Sequence, residues 1–237
     1  MNHNNMTLII TGCVKPPQDG YRIKLLDSNE REAQYIKSLE YYITKTNIKN
    51  IVFCENSNYK LKNDINKLIS NKNFEFLSFE GNQEKSVRYG KGYGEGEIMQ
   101  YAFENSKLIS RTNYIAKVTG RLIVKNINTL VRFANQSNGY FWFMGTSGGV
   151  QWVNTRFYMM PKKLYMDVFI GYKEVDDRAG FDTELMFYHT IKNSQIEYRK
   201  FFVCPRIEGT SGTDGVKYNG SVYKNIIDTV KLHTLNV

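Results

Sequence analysis

Four short apolar runs lie in the first half of the chain: Leu8-Ile9-Ile10, Asn50 to Cys54, Phe74 to Phe79 and Tyr114 to Val118. Between them stand segments with helical spacing. After Ser28, the stretch NEREAQYIKSLEYYITKT places Ala33, Ile36, Leu39 and Ile43 near a 3.6-residue period, with acids early and Lys45 late. Tyr59 to Ser70 predicts a second helix through Leu61, Ile65, Leu68 and Ile69, and Glu97 to Ile109 a third. Strands that take turns with helices predict an α/β fold with a parallel sheet and right-handed crossovers. A length of 237 residues suits one domain.

The second half reads less regularly. Tyr140 to Met144 and Val150 to Met160 predict aromatic-rich strands split by the Gly145–Gly149 loop. Pro161 opens a helix, Phe181 to Ile191 forms another, and Tyr198 to Val203 is a strand. Ser221 to Leu232 predicts a last helix with Val222, Ile226 and Val230 on one face. A division near residue 138 therefore separates a regular half, 1–137, from an irregular one, 138–237.

The net charge is +9, and it is uneven: residues 111–237 hold 17 basic and 10 acidic groups. A basic half implies an anionic partner such as nucleotide phosphate, nucleic acid or an anionic lipid surface. No block of five like charges and no known binding motif supports nucleic acid. No apolar run approaches the ~20 residues of a membrane span, and the opening MNHNNMTLIITGCVKPP lacks a basic n-region, so no signal peptide is expected. Cys13, Cys54 and Cys204 are far apart and form no metal spacing, which suits reduced cytoplasmic thiols.

In an open parallel sheet, ligands bind beyond the carboxyl ends of the strands. Thr11-Gly12, Glu55-Asn56-Ser57, the run Tyr89-Gly90-Lys91-Gly92-Tyr93-Gly94-Glu95-Gly96 and Thr119-Gly120-Arg121 all fall there. Such a glycine run allows close backbone approach to phosphate at a helix N-terminus, or is simply a surface loop. Lys117 and Arg121 bracket the end of the fourth strand, and an arginine fork suits a diphosphate. Asp176-Asp177 reads as a solvent-facing pair. Phe141, Trp142, Phe143, Trp152, Phe157 and Tyr158 pack the core for the most part, with Trp152 the candidate sugar platform.

This order of elements, with the segment GKGYGEGEIMQYAFENSKLISRTNYIAKVTGR, resembles bacterial glycosyltransferases that build capsule, lipopolysaccharide or other surface glycans on a GT-A fold. The resemblance implies a Rossmann-type mixed sheet flanked by helices in a single domain. It implies a nucleotide-sugar-binding half, 1–137, and an acceptor-binding half, 138–237. It puts Thr11, Gly12 and Glu55 at the nucleoside and Lys117 and Arg121 at the diphosphate; the glycine run adds Lys91, Gly92 and Gly94 as donor-binding candidates, and the Gly209–Gly215 loop either adds Ser211 as a lid or is a plain disordered connector. Where the family has an Asp-x-Asp metal motif, this chain has Thr119-Gly120-Arg121. That departure implies transfer without a divalent metal or any other cofactor, with Arg121 and Lys117 neutralising the diphosphate.

Phe181-Asp182-Thr183-Glu184-Leu185 is similar to the acidic segment that opens a helix in inverting relatives. Asp182 matches its general base and Glu184 is the second choice; Asp182 as a simple helix cap fits equally well. The implied partners are a nucleotide-sugar donor and a glycan or lipid-linked acceptor, with peripheral contact to an anionic membrane from the cytoplasmic side and no nucleic acid. A sugar-nucleotide nucleotidyltransferase is the alternative, although the Thr11–Pro16 segment holds a single glycine where those enzymes are glycine-rich. A basic nucleic-acid-binding domain without catalysis is the third reading.

Overall fold

A computed structural model describes residues 5–61, 65, 69, 71–146, 149–212 and 214–235. The elements run β1 (Met6–Gly12), α1 (Ser28–Lys45), β2 (Asn50–Glu55), β3 (Asn73–Ser78), α2 (Gln83–Tyr89), α3 (Lys91–Asn105), α4 (Lys107–Ser110) and β4 (Tyr114–Thr119). Then follow β5 (Leu122–Val124), α5 (Ile127–Phe133), β6 (Gly139–Phe141), β7 (Phe143–Thr146), β8 (Gly149–Val153), β9 (Phe157–Pro161) and α6 (Lys162–Leu164). A π-helical turn, Tyr165–Phe169, and a 3-10 turn, Tyr172–Glu174, lead to α7 (Thr183–Asn193), β10 (Tyr198–Lys200), β11 (Ile207–Thr210), β12 (Lys217–Asn219) and α8 (Val222–Thr234). The helix expected over Tyr59 to Ser70 falls largely outside the described residues.

The main sheet has seven strands in the order β10-β6-β9-β4-β1-β2-β3 and draws on both halves of the chain. β4, β1, β2 and β3 are parallel, and β9 runs antiparallel to β4 and β6. The mixed α/β architecture read from the sequence is the one observed. β1 and β2 are buried at every position, as continuous apolar strands covered on both faces should be.

Strand alternation places the helices. On β2, the Phe53 ring meets Tyr35 of α1, while its neighbour Cys54 meets the Ile98 carbonyl of α3. Adjacent residues point to opposite faces, so α1 and α3 cover opposite faces. Right-handed crossovers require this. The chain moves outward from β1 to β3 and then returns to the far side of β1 for β4. The direction reverses between β1 and β4, which is where such sheets open a crevice.

Two parts of the sequence reading are corrected. The glycine run is helix rather than loop: α3 begins at Lys91, and only Gly90 within the run has a positive φ (104°). A Cβ on Gly96 would lie 2.0 Å from Tyr172, and one on Gly92 2.7 Å from both Asp177 and Thr183. These glycines give room for neighbouring segments, which outweighs the helix propensity they cost. Secondly, Val150 to Met160 is not one strand. It breaks at 154–156 into β8 and β9, where Thr119 N–H donates to Arg156 O (3.0 Å) and holds the turn against the end of β4. A small β12-β11-β5 sheet was not foreseen.

Candidate functional site

β1, β2 and β4 end in register: Gly12 lies beside Glu55, and Thr11 beside Thr119. Gly120 then turns the chain across β1. Its N–H donates to Thr11 O (2.9 Å), and an added Cβ would lie 2.2 Å from that oxygen, so only glycine fits. A cavity of about 210 Å³ opens at this edge.

Of the residues expected from the sequence, Thr11, Gly12, Lys91, Gly94, Arg121, Ser211 and Glu184 line that cavity. They come from β1, α3, the turn after β4, the loop after β11 and α7. Arg121 lies on the α1 face. Its Nη1 donates to Gln34 Oε1 (2.9 Å), and Gly212 sits beside its guanidinium. Arg31 of α1 lines the same side and ties the loop after β1 in place, with Nε donating to Cys13 O (2.8 Å) and Nη1 to Leu25 O (3.0 Å). That loop meets the loop after β11 where Lys24 N–H donates to Gly212 O (3.5 Å).

The remaining expectations are not met by this geometry. Lys117 is fully buried on the α3 face. Its ammonium donates to Thr155 O (2.9 Å) and Thr119 Oγ1 (3.1 Å) and pairs with the Glu95 carboxylate. Position 117 alternates inward on β4, so Lys117 supports the cavity from beneath and does not line it. Burial pulls this ammonium down to about 7, against the opposing pull of Glu184. Glu55 is also fully buried. It accepts from Ser57 N (2.9 Å), Tyr59 N (2.7 Å) and the Ser78 hydroxyl, and Asn56 is the β2-end residue that lines the cavity. Gly92 donates to Asp177 Oδ2 (3.0 Å), away from the cavity.

Asp182 is the N-cap of α7 and accepts from Leu185 N (2.9 Å). It does not line the cavity, whereas Glu184, two residues on, does and accepts from Thr155 Oγ1 (2.9 Å). Trp152 is 37% exposed on β8, opposite Met144 and outside the cavity lining. Asp176 and Asp177 are half-buried rather than solvent-facing. Asp177 supports the start of α3, and burial pushes its carboxyl up while the Gly92 N–H holds it down.

Several lining residues were missed. Arg31 sits four residues before Tyr35, and both face inward on α1 with Leu39 and Tyr42, so a cation on the buried stripe was a readable signal. Glu95 sat between glycines read as loop, and Thr155-Arg156 inside a segment read as strand. Lys91 lies within the field of Glu184 and Asp177, which oppose the downward pull of its burial. Burial pushes the Cys13 thiol up to about 11, so it is a neutral wall of the cavity. Among the described residues, no group of three or more His, Cys, Asp or Glu is placed to hold a metal ion.

No protein-family model matches the chain, and no curated relative matches it. Among solved structures it is similar to 4-diphosphocytidyl-2C-methyl-D-erythritol synthase from Anaerococcus prevotii, with 10% identity over 98% of this chain and 100% of the other, TM-score 0.46. It is similar to a glycosyltransferase involved in glycosylation of the major capsid of PBCV-1, with 13% identity over 82% and 80%, TM-score 0.46. It is also similar to HddC from Yersinia pseudotuberculosis, with 12% identity over 95% and 98%, TM-score 0.43. Scores and identities this low carry no part of the functional reading.

Proposed function

We propose that the chain is a glycosyltransferase that moves a sugar from a nucleotide-sugar donor to a bacterial capsule, lipopolysaccharide or lipid-linked acceptor, without a divalent metal, in the cytoplasm. One observation carries the reading: a single cavity at the β1–β4 reversal holds Arg31 and Arg121 on one side and Glu184 beside Lys91 on the other. In this reading residues 1–137 hold mainly the donor and 138–237 the acceptor. Arg121 and Lys91 take up the charge of the departing diphosphate, the work a metal does elsewhere. Glu184 accepts the proton of the acceptor hydroxyl as its oxygen attacks the anomeric carbon and the sugar–phosphate bond breaks.

The test is nucleoside diphosphate release from a panel of nucleotide sugars, with an acceptor extract, in excess chelator. Turnover should be unchanged by chelator. A strict requirement for magnesium or manganese overturns the metal-free reading, and failure of every nucleotide to raise the melting temperature overturns the donor site.

A second reading, a sugar-nucleotide nucleotidyltransferase, has support from Lys15, which lines the cavity together with Lys91 and Arg156 and so offers enough positive charge for a triphosphate. It predicts pyrophosphate release from a nucleoside triphosphate and a sugar phosphate. The first reading predicts none.

A further inference from the structure

Helix α8 is turned the wrong way for a core helix. Val222, Tyr223, Ile226 and Val230 are 57%, 76%, 58% and 58% exposed, and they share one face because residues four apart stack on a helix. The sequence pattern alone would have buried this stripe. The inward side is largely polar instead: Asn225 Nδ2 donates to Cys204 O (2.7 Å), and Thr229 Oγ1 accepts from Cys204 N (2.9 Å). Leu232 is the one fully buried side chain of the helix. These bonds fix the roll of α8 and hold its apolar stripe outward.

The stripe has apolar neighbours. His233 Nε2 lies 3.1 Å from the Phe202 carbonyl, at the end of the helix. Phe202 is 72% exposed, and its ring lies 5.6 Å from that of Phe133, itself exposed. Cations border the patch. The Arg132 guanidinium is 5.9 Å from the Phe133 ring, Lys231 is exposed on the same helix, and Lys224 is exposed beside Asp228 at 3.0 Å. No described helix is long and apolar enough to cross a membrane.

From this face we infer that α8, with Phe202 and Phe133, docks the protein in the plane of an anionic lipid surface. An apolar stripe with aromatic members, flanked by lysine and arginine, is the pattern of an interfacial helix. The apolar side chains enter the acyl boundary and the cations meet the headgroups. A second copy of the chain is the weaker occupant, because each copy carries +9 and the patch is bordered by the same sign in both. The inference does not depend on the reaction performed in the cavity.

The experiment is co-sedimentation of the full chain with phosphatidylcholine vesicles, with and without phosphatidylglycerol. Wild type should sediment with the anionic vesicles and much less with the neutral ones. Ile226→Ser with Val230→Ser, which leaves the charge unchanged, should lower partitioning about tenfold or more. Arg132→Gln with Lys231→Gln should weaken binding to anionic vesicles alone. Circular dichroism and melting temperature check the fold, and Tyr223→Ser with Phe202→Ser gives a second apolar variant. Equal sedimentation of wild type and both apolar variants overturns the inference, as does no sedimentation of wild type. A dimer in gel filtration that the apolar variants dissociate also overturns it, in favour of a second copy.

Discussion

The two sides of the cavity differ in charge. On the α1 side, Arg31 and Arg121 line the wall; among the described lining residues, the only carboxylates, Glu95 and Glu184, stand toward α3 and α7. One side therefore offers two guanidiniums to an anion with no carboxylate in its lining, although Glu30 of α1 acts on Arg121 from behind it. The other mixes Lys91 and Arg156 with the two acids, so it can meet the departing diphosphate through Lys91 and take up the proton at Glu184. The split follows from the topology. β4 presents Lys117 to the α3 face and, after the turn at Gly120, Arg121 to the α1 face. Two cations four residues apart thus have different work, one beneath the cavity and one in it.

The largest effect expected from this division is at Glu184. Glu184→Gln should lower transfer by about 10² to 10⁴ in single-turnover assays, the usual contribution of a general base. Nucleotide affinity by calorimetry should stay within about threefold if Arg121 and Arg31 hold the anion. Wild-type transfer in this variant breaks the assignment of proton transfer to the α3 side. Next comes Arg121→Gln, which should weaken nucleoside diphosphate binding by about 1.5–3 kcal/mol, the range of a hydrogen bond to a charged group.

Lys117→Met sharpens the contrast, because Lys117 has no surface in the cavity. It should leave nucleotide affinity within about threefold and change the pH dependence of stability. Burial holds Lys117 near 7 in the folded chain, against 10.5 for a free lysine. Between those values the unfolded chain binds the extra proton, so this group makes stability rise as pH is raised through the window. Its destabilising effect is fully present below the window. The variant should flatten that slope in urea unfolding at about pH 6 and about pH 9. An unchanged slope means the ammonium stays charged in its contact with Glu95.

The sheet was legible because the centres of β1, β2 and β4 are short apolar runs, as strands buried on both faces should be, with Glu55 and Lys117 the charged exceptions. The small sheet was not. Its strands have three or four residues, and the β5–β11 pairing joins Ile123 to Glu208, far apart in sequence. Glycine misled at α3, since a loop that needs freedom and a helix that needs room for Tyr172 have the same spelling. Strand-end positions pointed to residues that line the cavity at Thr11, Gly12 and Arg121. They failed at Lys117 and Glu55, because position along a strand does not say whether a charged side chain turns outward or finds buried partners. The outward stripe of α8 was invisible for a similar reason: its spacing is that of a buried face, and only its hydrogen bonds to Cys204 show the roll.

The smallest effect bears on Asp182 and separates its two roles. As the α7 cap it accepts from Leu185 N, which an asparagine side-chain oxygen does nearly as well. Asp182→Asn should therefore change stability by only a few tenths of a kcal/mol and leave transfer near wild type. Asp182→Ala should cost about 1 kcal/mol in urea unfolding, with transfer per folded molecule reduced only as far as a frayed first turn displaces Glu184. If Asp182→Asn instead abolishes transfer at unchanged stability, the proton goes to Asp182. The acidic residue outside the cavity would then be the one at work, and the division between the two walls would fail.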